Sequence, residues 1–492
     1  LEHDLRVFAG EGDQALPVLH FADWETLPYD LFSPHPDIVS QRVAALYRLP
    51  TTRKGVLVVP VASLMQRLAP PSWIAGNTLD LHKGQRLDMD AEKRRLEAAG
   101  YRNVPQVLDP GDFAVRGALL DLYPMGADRP YRIELFDDEI DSLRSFDPET
   151  QRSDHPVDSV RLLPAREFPL DEASTKRVRE RLSERFDFDP RRCPLYQDLK
   201  EGGTPAGIEY YLPLFFEQTA SLFEHLADDT LLVLGNGVAE AAEAFWAQTG
   251  DRWEQRRHDL ERPILPPGEL YLSPEELRAR WNKASRIDVL DPGHAQAGKA
   301  IALPELPAPS LPWSQKGGEP GSALLGFLRA YPGRVLLAAD SAGRREALLE
   351  LLASADLRPA VVADWAAFLA GDQPFAITAA ALEDGFALAE PALAVLTERS
   401  RRRRKAVRDP DAVLRDLSEI QVGSPIVHED HGVGRYQGLV TLDTGGVTSE
   451  FLQIEYAKGD KLYVPVSQLQ LVSRYSGASP EHAPLHSLGG EA

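Results

Sequence analysis

Two histidines and two acids fall on four consecutive positions, His428, Glu429, Asp430 and His431, inside the stretch PIVHEDHGVGRYQG. Imidazole and carboxylate groups are donors that zinc takes, and a structural zinc site uses four protein ligands. The spacing argues against such a site. On a strand, side chains three positions apart point to opposite faces. A helix is denied by Pro425 before the cluster and by Gly432 and Gly434 after it, and no cysteine lies nearby. The stretch reads instead as a strand (PIVH), a turn and a second strand (RYQGLVTL), with the glycines supplying positive φ or a close backbone approach. No metal site is expected.

A second place where chemistry is conceivable is GHAQAGKA, Gly293 to Ala300, which fits G-x-x-x-x-G-K up to its last position. A working phosphate loop puts a Ser or Thr hydroxyl there for magnesium. Here the position is Ala300, and Pro304 and Pro307 forbid a long helix after it. An interdomain loop is the better reading. No G-x-S-x-G, no H-E-x-x-H and no setting for a reactive cysteine is present. No catalytic residue and no cofactor is therefore expected in this chain.

The elements that position these groups divide the chain. Its 492 residues hold several domains. Residues 1–77 and 165–298 mix apolar strands with amphipathic segments. VLVVPVASLM and DDTLLVLGN read as buried strands, a pattern typical of α/β domains with a parallel sheet. Residues 78–164 instead alternate with period two between Gly, Pro and Asp punctuation, with one helix at about 88–99 closed by Gly100. A domain split by a β-rich insert fits this order. A Pro-rich spacer follows, then a small α/β domain over 299–400 and a basic linker over 401–423. Residues 424–476 read as short strands making an SH3-like barrel.

The net charge of −21 argues against binding nucleic acid over the whole surface, because backbone binding neutralises phosphates with Lys and Arg. The 424–476 window holds four basic residues (Arg435, Lys458, Lys461, Arg474) against six acids (Glu429, Asp430, Asp443, Glu450, Glu455, Asp460). A protein partner suits it better, reached by strand-edge pairing. The run Arg401 to Arg404, with Arg399 and Lys405, reads first as a solvated linker, with a phosphate-backbone contact as the alternative. Arg116 and Arg132 sit on predicted strands, with Phe136 nearby, among many acids. Arg and aromatic side chains are enriched in interface hot spots, and composition leaves an interface and a plain sheet surface equally open. A single cysteine, Cys193, rules out a disulfide framework and points to the reducing cytoplasm. No apolar run reaches the roughly 20 residues that span a bilayer, so no membrane partner is expected.

Several long motifs resemble a known family. They are FADWETLPYDLFSPHPDIVSQRVAALYRLP, VRGALLDLYPMG with YRIELFDDEIDSLRSFD, PAGIEYYLPLFF, and HEDHGVGRYQGL with KLYVPVSQLQLVSRYSG. In this order they resemble the bacterial transcription-repair coupling factors, the Mfd family, along the whole chain. The resemblance implies a multidomain α/β architecture. A P-loop-type α/β domain like that of the repair protein UvrB (1–77 and 165–298) has lost its ATP-binding residues and DNA-gripping hairpin, with family residues lying upstream of Leu1. It is split by a β-rich α+β insert (78–164) similar to the UvrA-binding domain of UvrB. Position by position, Arg116, Arg132 and Phe136 match family residues that contact UvrA.

The 424–476 barrel is similar to the RNA-polymerase-interacting domain shared with CarD-type regulators, and Leu442 matches a residue at the polymerase β-subunit contact. Residues 477–492 match the start of the linker to the family's ATP-driven motor, where ATP and magnesium act. The function implied is a non-catalytic adaptor that binds polymerase and recruits UvrA, with weak or no DNA contact of its own. The rival readings are a UvrB-like DNA-dependent ATPase and a CarD-like regulator that ignores UvrA.

Overall fold

The computed structural model describes residues 1–10, 15–290, 301–303, 305–306, 322–397, 422–428, 432–444, 447–466 and 472–474. The chain divides into two compact units. One comprises Leu1–Leu19, Lys54–Val58 and Leu290–Val407; the other comprises His20–Arg53, Val59–Val289 and Arg408–Ala492. Among the described residues, no helix is long and apolar enough to cross a membrane.

In the second unit, the period-two segments build a six-stranded meander. Its strands are β1 (Arg102–Asn103), β2 (Asp112–Arg116), β3 (Leu119–Leu122), β4 (Tyr131–Phe136), β5 (Glu139–Phe146) and β6 (Ser153–Pro156), each beside its sequence neighbour. All pairs are antiparallel except β1 with β2. One face is buried. Phe113, Leu120, Leu122, Ile133, Ile140 and Leu143 pack with Leu96 of the helix Met89–Ala98 and with Val39 and Val43 of the helix Pro36–Arg48. The helix Met89–Ala98 starts where the Asp88 carboxylate accepts from the Ala91 amide, and it is followed by Gly100 at φ 89°. That is the left-handed conformation in which glycine commonly ends helices.

A second core in this unit gathers Trp24, Tyr29, Phe168, Val178, Leu182, Tyr210, Tyr211, Phe215, Leu265, Leu272 and Trp281. Phe168 and Phe215 stack with centroids 4.7 Å apart. The parallel sheet expected for 1–77 with 165–298 is not what these segments form. The strands occur as separate pairs: Val18–His20 with Val56–Val58, Arg67–Leu68 with Ala220–Ser221, and Leu231–Leu234 with Ser285–Asp288, the last parallel. Nor are these strands fully buried. Val56–Val58 is half-buried throughout, and Leu231 and Val233 are 53% and 61% exposed. A parallel strand is buried on both sides only where elements cover both faces. Leu232 and Leu234 pack on the core while Leu231 and Val233, on the opposite face, stay open.

The first unit is an α/β domain around a six-stranded mixed sheet. Arg334–Ala339 lies at its centre, parallel to both Phe375–Ala379 and Leu393–Thr397. Phe386–Leu388 and Glu305–Leu306 add antiparallel strands on one side. The run RVLLAA is buried along nearly its whole length, as a central strand covered on both faces must be. The amino-terminal helix Glu2–Ala9 belongs to this unit. Phe8 meets Trp365 edge-on at 5.1 Å and lies 6.0 Å from Phe386. His3 Nε2 is 2.6 Å from the Ala381 carbonyl, and the Glu383 amide donates to Asp4 Oδ1 at 3.1 Å.

Pro425–His428, Gly432–Thr444, Val447–Glu455, Lys461–Pro465 and Val472–Arg474 form one antiparallel sheet. The two end strands, Lys461–Pro465 and Val472–Arg474, do not pair with each other. The sheet therefore curls as a half-barrel around Ile426, Tyr436, Leu452, Ile454, Tyr456, Val464 and Val472, where a barrel was expected. Its strands are also longer than expected. Gly432–Thr444 runs 13 residues and carries a register shift at Gly438, the kind of bulge that bends a strand.

Candidate functional site

The three side chains expected at an interface, Arg116, Arg132 and Phe136, come from β2 and β4. Directly opposite residues on neighbouring strands share a face. Arg116 pairs with Leu119, Leu119 with Glu134, and Arg132 with both Asp121 and Arg144. On β4, Arg132, Glu134 and Phe136 alternate with Tyr131, Ile133 and Leu135, which pack on the core. The sheet thus brings all three expected residues onto its non-core face.

That face has two halves. At one end Val107, Ala114 and Phe146 form a small buried cluster of their own. Arg132 lies in this covered half, with its guanidinium carbon 5.0 Å from the Phe146 ring centre. Its Nε and Nη2 donate to the two oxygens of Asp121 at 2.7 and 2.9 Å. Its Nη1 donates to the Gln151 carbonyl and to Ser153 Oγ, both at 3.3 Å. The hydrogen bonds to Asp121 hold the guanidinium above its usual pKa. Asp121 is 3% exposed, and a carboxylate that deep needs such a partner.

At the other end the face is open. Phe136 is the last residue of β4 and is 76% exposed. Asp137 follows it at φ 54°, turning the chain into β5. Arg116 is exposed, and its Nη2 donates to the Pro105 carbonyl at 2.8 Å. No carboxylate among the described residues lies within ion-pair distance of Arg116. An exposed aromatic ring and an uncompensated guanidinium on one rigid sheet suit protein recognition, where such residues anchor contacts. The fixed Arg132 braces the covered half of that face. Asp121 escaped the sequence reading. Its signal was an acid inside the apolar strand LLDL, which demands a cation across the sheet.

The second expected contact is Leu442, which is half-buried. Its strand is flanked by Pro425–His428 only along residues 432–435. Beyond that point, among the described residues, it pairs on one side alone, with Val447–Glu455, and Leu442 sits opposite Ser449 there. The segment is a hairpin whose other edge is unpaired among the described residues, the geometry that strand addition uses. His428 is buried at the end of its strand, opposite Gly432. Gly434 lies within the following strand and not in a turn. A Cβ there would come within 2.5 Å of Ile454 Cγ2 and 3.1 Å of the Glu455 carbonyl, so close backbone approach is what requires this glycine. Glu429, Asp430, His431, the run Arg399 to Lys405 and the stretch Gly293 to Ala300 lie outside the described residues. Among the described residues, no group of three or more His, Cys, Asp or Glu is placed to hold a metal ion.

Comparison with known proteins places these surfaces in context. Residues 79–168 match the UvrB interaction domain, residues 327–400 the MFD D3 domain, and residues 420–476 the CarD-like/TRCF RID domain. The transcription-repair-coupling factor of Haemophilus influenzae is 43% identical over 96% of this chain, and that of Escherichia coli 45% over 96%. The corresponding protein of Myxococcus xanthus is 31% identical over 99%. The chain spans 42% to 43% of the length of these relatives. With three family domains in order and similarity running through the segments between them, the chain is similar along nearly its whole length to the transcription-repair-coupling factors.

Proposed function

We propose that this chain is a non-catalytic adaptor with two docking surfaces. The 78–164 insert recruits UvrA through Arg116, Arg132 and Phe136. The 424–476 half-barrel holds the β subunit of RNA polymerase through the hairpin edge at Leu442. Acting together, they bring excision repair to a polymerase stalled on damaged DNA, in the cytoplasm. ATP and magnesium belong to the motor that the longer relatives carry, and DNA contact through Arg401, Arg402, Arg403 and Arg404 is weak or absent.

The observation that carries this reading is Phe136. A large apolar side chain that is 76% exposed, on the same sheet face as the exposed Arg116, lies within the segment matching the UvrB interaction domain. Its exposure has no rationale in the fold itself, since the sheet's core lies on the other face. The test is a parallel pull-down of UvrA and of the polymerase β subunit. Arg116→Ala and Phe136→Ala are expected to lose UvrA alone, and Leu442→Arg polymerase alone. Truncating a hot-spot side chain costs about 2 kcal/mol or more, roughly 30-fold in Kd. Wild-type protein that binds neither partner would overturn the reading. Phosphate release above background with DNA present would favour the ATPase rival.

A further inference from the structure

Beside Phe136 the sheet ends in a cleft of about 590 Å³ that the family resemblance does not assign. Its walls come from the turn between β2 and β3 (Gly117, Ala118), from Leu135, and from the segment leading into the helix Met89–Ala98 (Leu87, Met89). The segment is fixed there by backbone pairing. The Leu87 amide donates to the Asp138 carbonyl at 2.7 Å, and Ile140 donates to Gln85 at 2.8 Å. The cleft is therefore built on the sheet and not on a free loop.

Its charge is one-sided. Three carboxylates line it, Asp88, Asp137 and Asp138, against one guanidinium, Arg86. Asp88 is committed to capping the helix. Arg86 reaches Asp138 only at 3.7 Å, with both side chains more than half exposed, and an exposed pair at that distance contributes little. Asp137 and Asp138 thus face the cleft as acceptors, above apolar walls. Phe136, whose ring is open to solvent, directly precedes them.

We infer that this cleft receives an arginine or lysine side chain of the protein that docks on Phe136. The long methylene stem of such a residue packs on Leu87, Met89 and Leu135, as basic side chains do on apolar surface. Its cationic head meets the Asp137 and Asp138 carboxylates at the mouth. The contact surface is then bipolar: an arginine on the sheet face calls for an acid on the partner, and the cleft calls for a base. Such a charge pattern fixes register as well as adding affinity. The inference rests on the reading that Phe136 meets UvrA.

The experiment is calorimetric titration of the full chain with UvrA at low and moderate salt, using wild type, Phe136→Ala, Arg116→Ala and Asp137→Asn/Asp138→Asn. Asparagine is chosen because it tolerates the positive φ of residue 137, so the turn survives, which the unfolding temperature checks. The double variant is expected to bind about tenfold more weakly with a shallower salt dependence. Asp137→Lys/Asp138→Lys should lose binding altogether. If both double variants bind within twofold of wild type while Phe136→Ala loses binding, the cleft is empty and this inference falls alone. If Phe136→Ala and Arg116→Ala also bind as wild type, or wild type does not bind, the adaptor reading falls and takes the inference with it.

Discussion

Arg42 and Glu167, 125 residues apart in sequence, form a buried two-point ion pair at 2.6 and 3.2 Å. Arg42 has no solvent exposure. Its third donor reaches the Ala22 carbonyl at 2.8 Å, and its guanidinium carbon lies 4.2 Å from the Phe21 ring centre. The pair fastens the helix Pro36–Arg48 to the segment that leaves the insert. Removing one partner strands the other charge in the interior. Arg42→Met should therefore destabilise this unit by about 3–5 kcal/mol, and Arg42→Met/Glu167→Leu should recover most of that. Calorimetric unfolding of the three proteins measures both. A double variant no more stable than the single would remove the stranded charge as the cause.

Arg132 calls for the same care when binding is measured. Arg132→Ala leaves Asp121 buried without its cation, so the insert should lose about 2–3 kcal/mol in addition to any contact with UvrA. Asp121→Ala/Arg132→Ala should restore the fold but not the contact. Hydrogen exchange of β3 and β4, read beside UvrA affinity, separates the two effects.

His225 makes the second unit sensitive to mild acid. It is 1% exposed, and its Nε2 lies 3.0 Å from the Ala69 carbonyl. Burial holds its pKa below the ordinary histidine value, although Glu167 and Glu224 pull the other way. The folded state thus binds fewer protons than the unfolded state in the interval between the two pKa values. Its stability contribution is fully present above about pH 6.5, the unfolded value, and is lost as pH falls toward the depressed folded one. Unfolding temperatures at pH 7.5 and 5.5 should diverge more for wild type than for His225→Gln. Equal divergence would exclude His225 as the source.

Gly434→Ala places a methyl group against Ile454 and the Glu455 carbonyl. Overpacking of this kind costs about 1–3 kcal/mol. The half-barrel should loosen, and polymerase binding should weaken without any change at the UvrA surface. Amide exchange across Gly432–Thr444 and Val447–Glu455 reports the loosening directly.

The insert was the most legible part of the sequence. Period-two alternation announced its strands, and Gly100 marked the end of its helix. What alternation could not supply was pairing across strands. Asp121 under Arg132 and the cleft beside Phe136 both depend on register and on a segment returning from residues 84–87. DDTLLVLGN misled for a related reason. An apolar run reports a capacity to be buried, while burial itself depends on neighbours, and among the described residues Leu231 and Val233 stay exposed. Gly432 and Gly434 were read together as turn residues, yet Gly434 answers to Ile454, twenty positions away and unrecognisable from local spacing. Arg401 to Arg404 and the His428–His431 cluster keep their sequence-based reading, since most of those residues lie outside the described ones.

The amino-terminal helix Glu2–Ala9 closes against elements whose sequence distance from it is large: His3 and Ala381 are 378 positions apart. A ribosome adding roughly 5–20 residues per second needs about 20–75 s to make the intervening chain. Through that interval Val7 and Phe8 have emerged while Trp365 and Phe386 do not yet exist. That helix is thus made well before the elements it packs on, and Phe8 stays without its ring partners until translation passes residue 386.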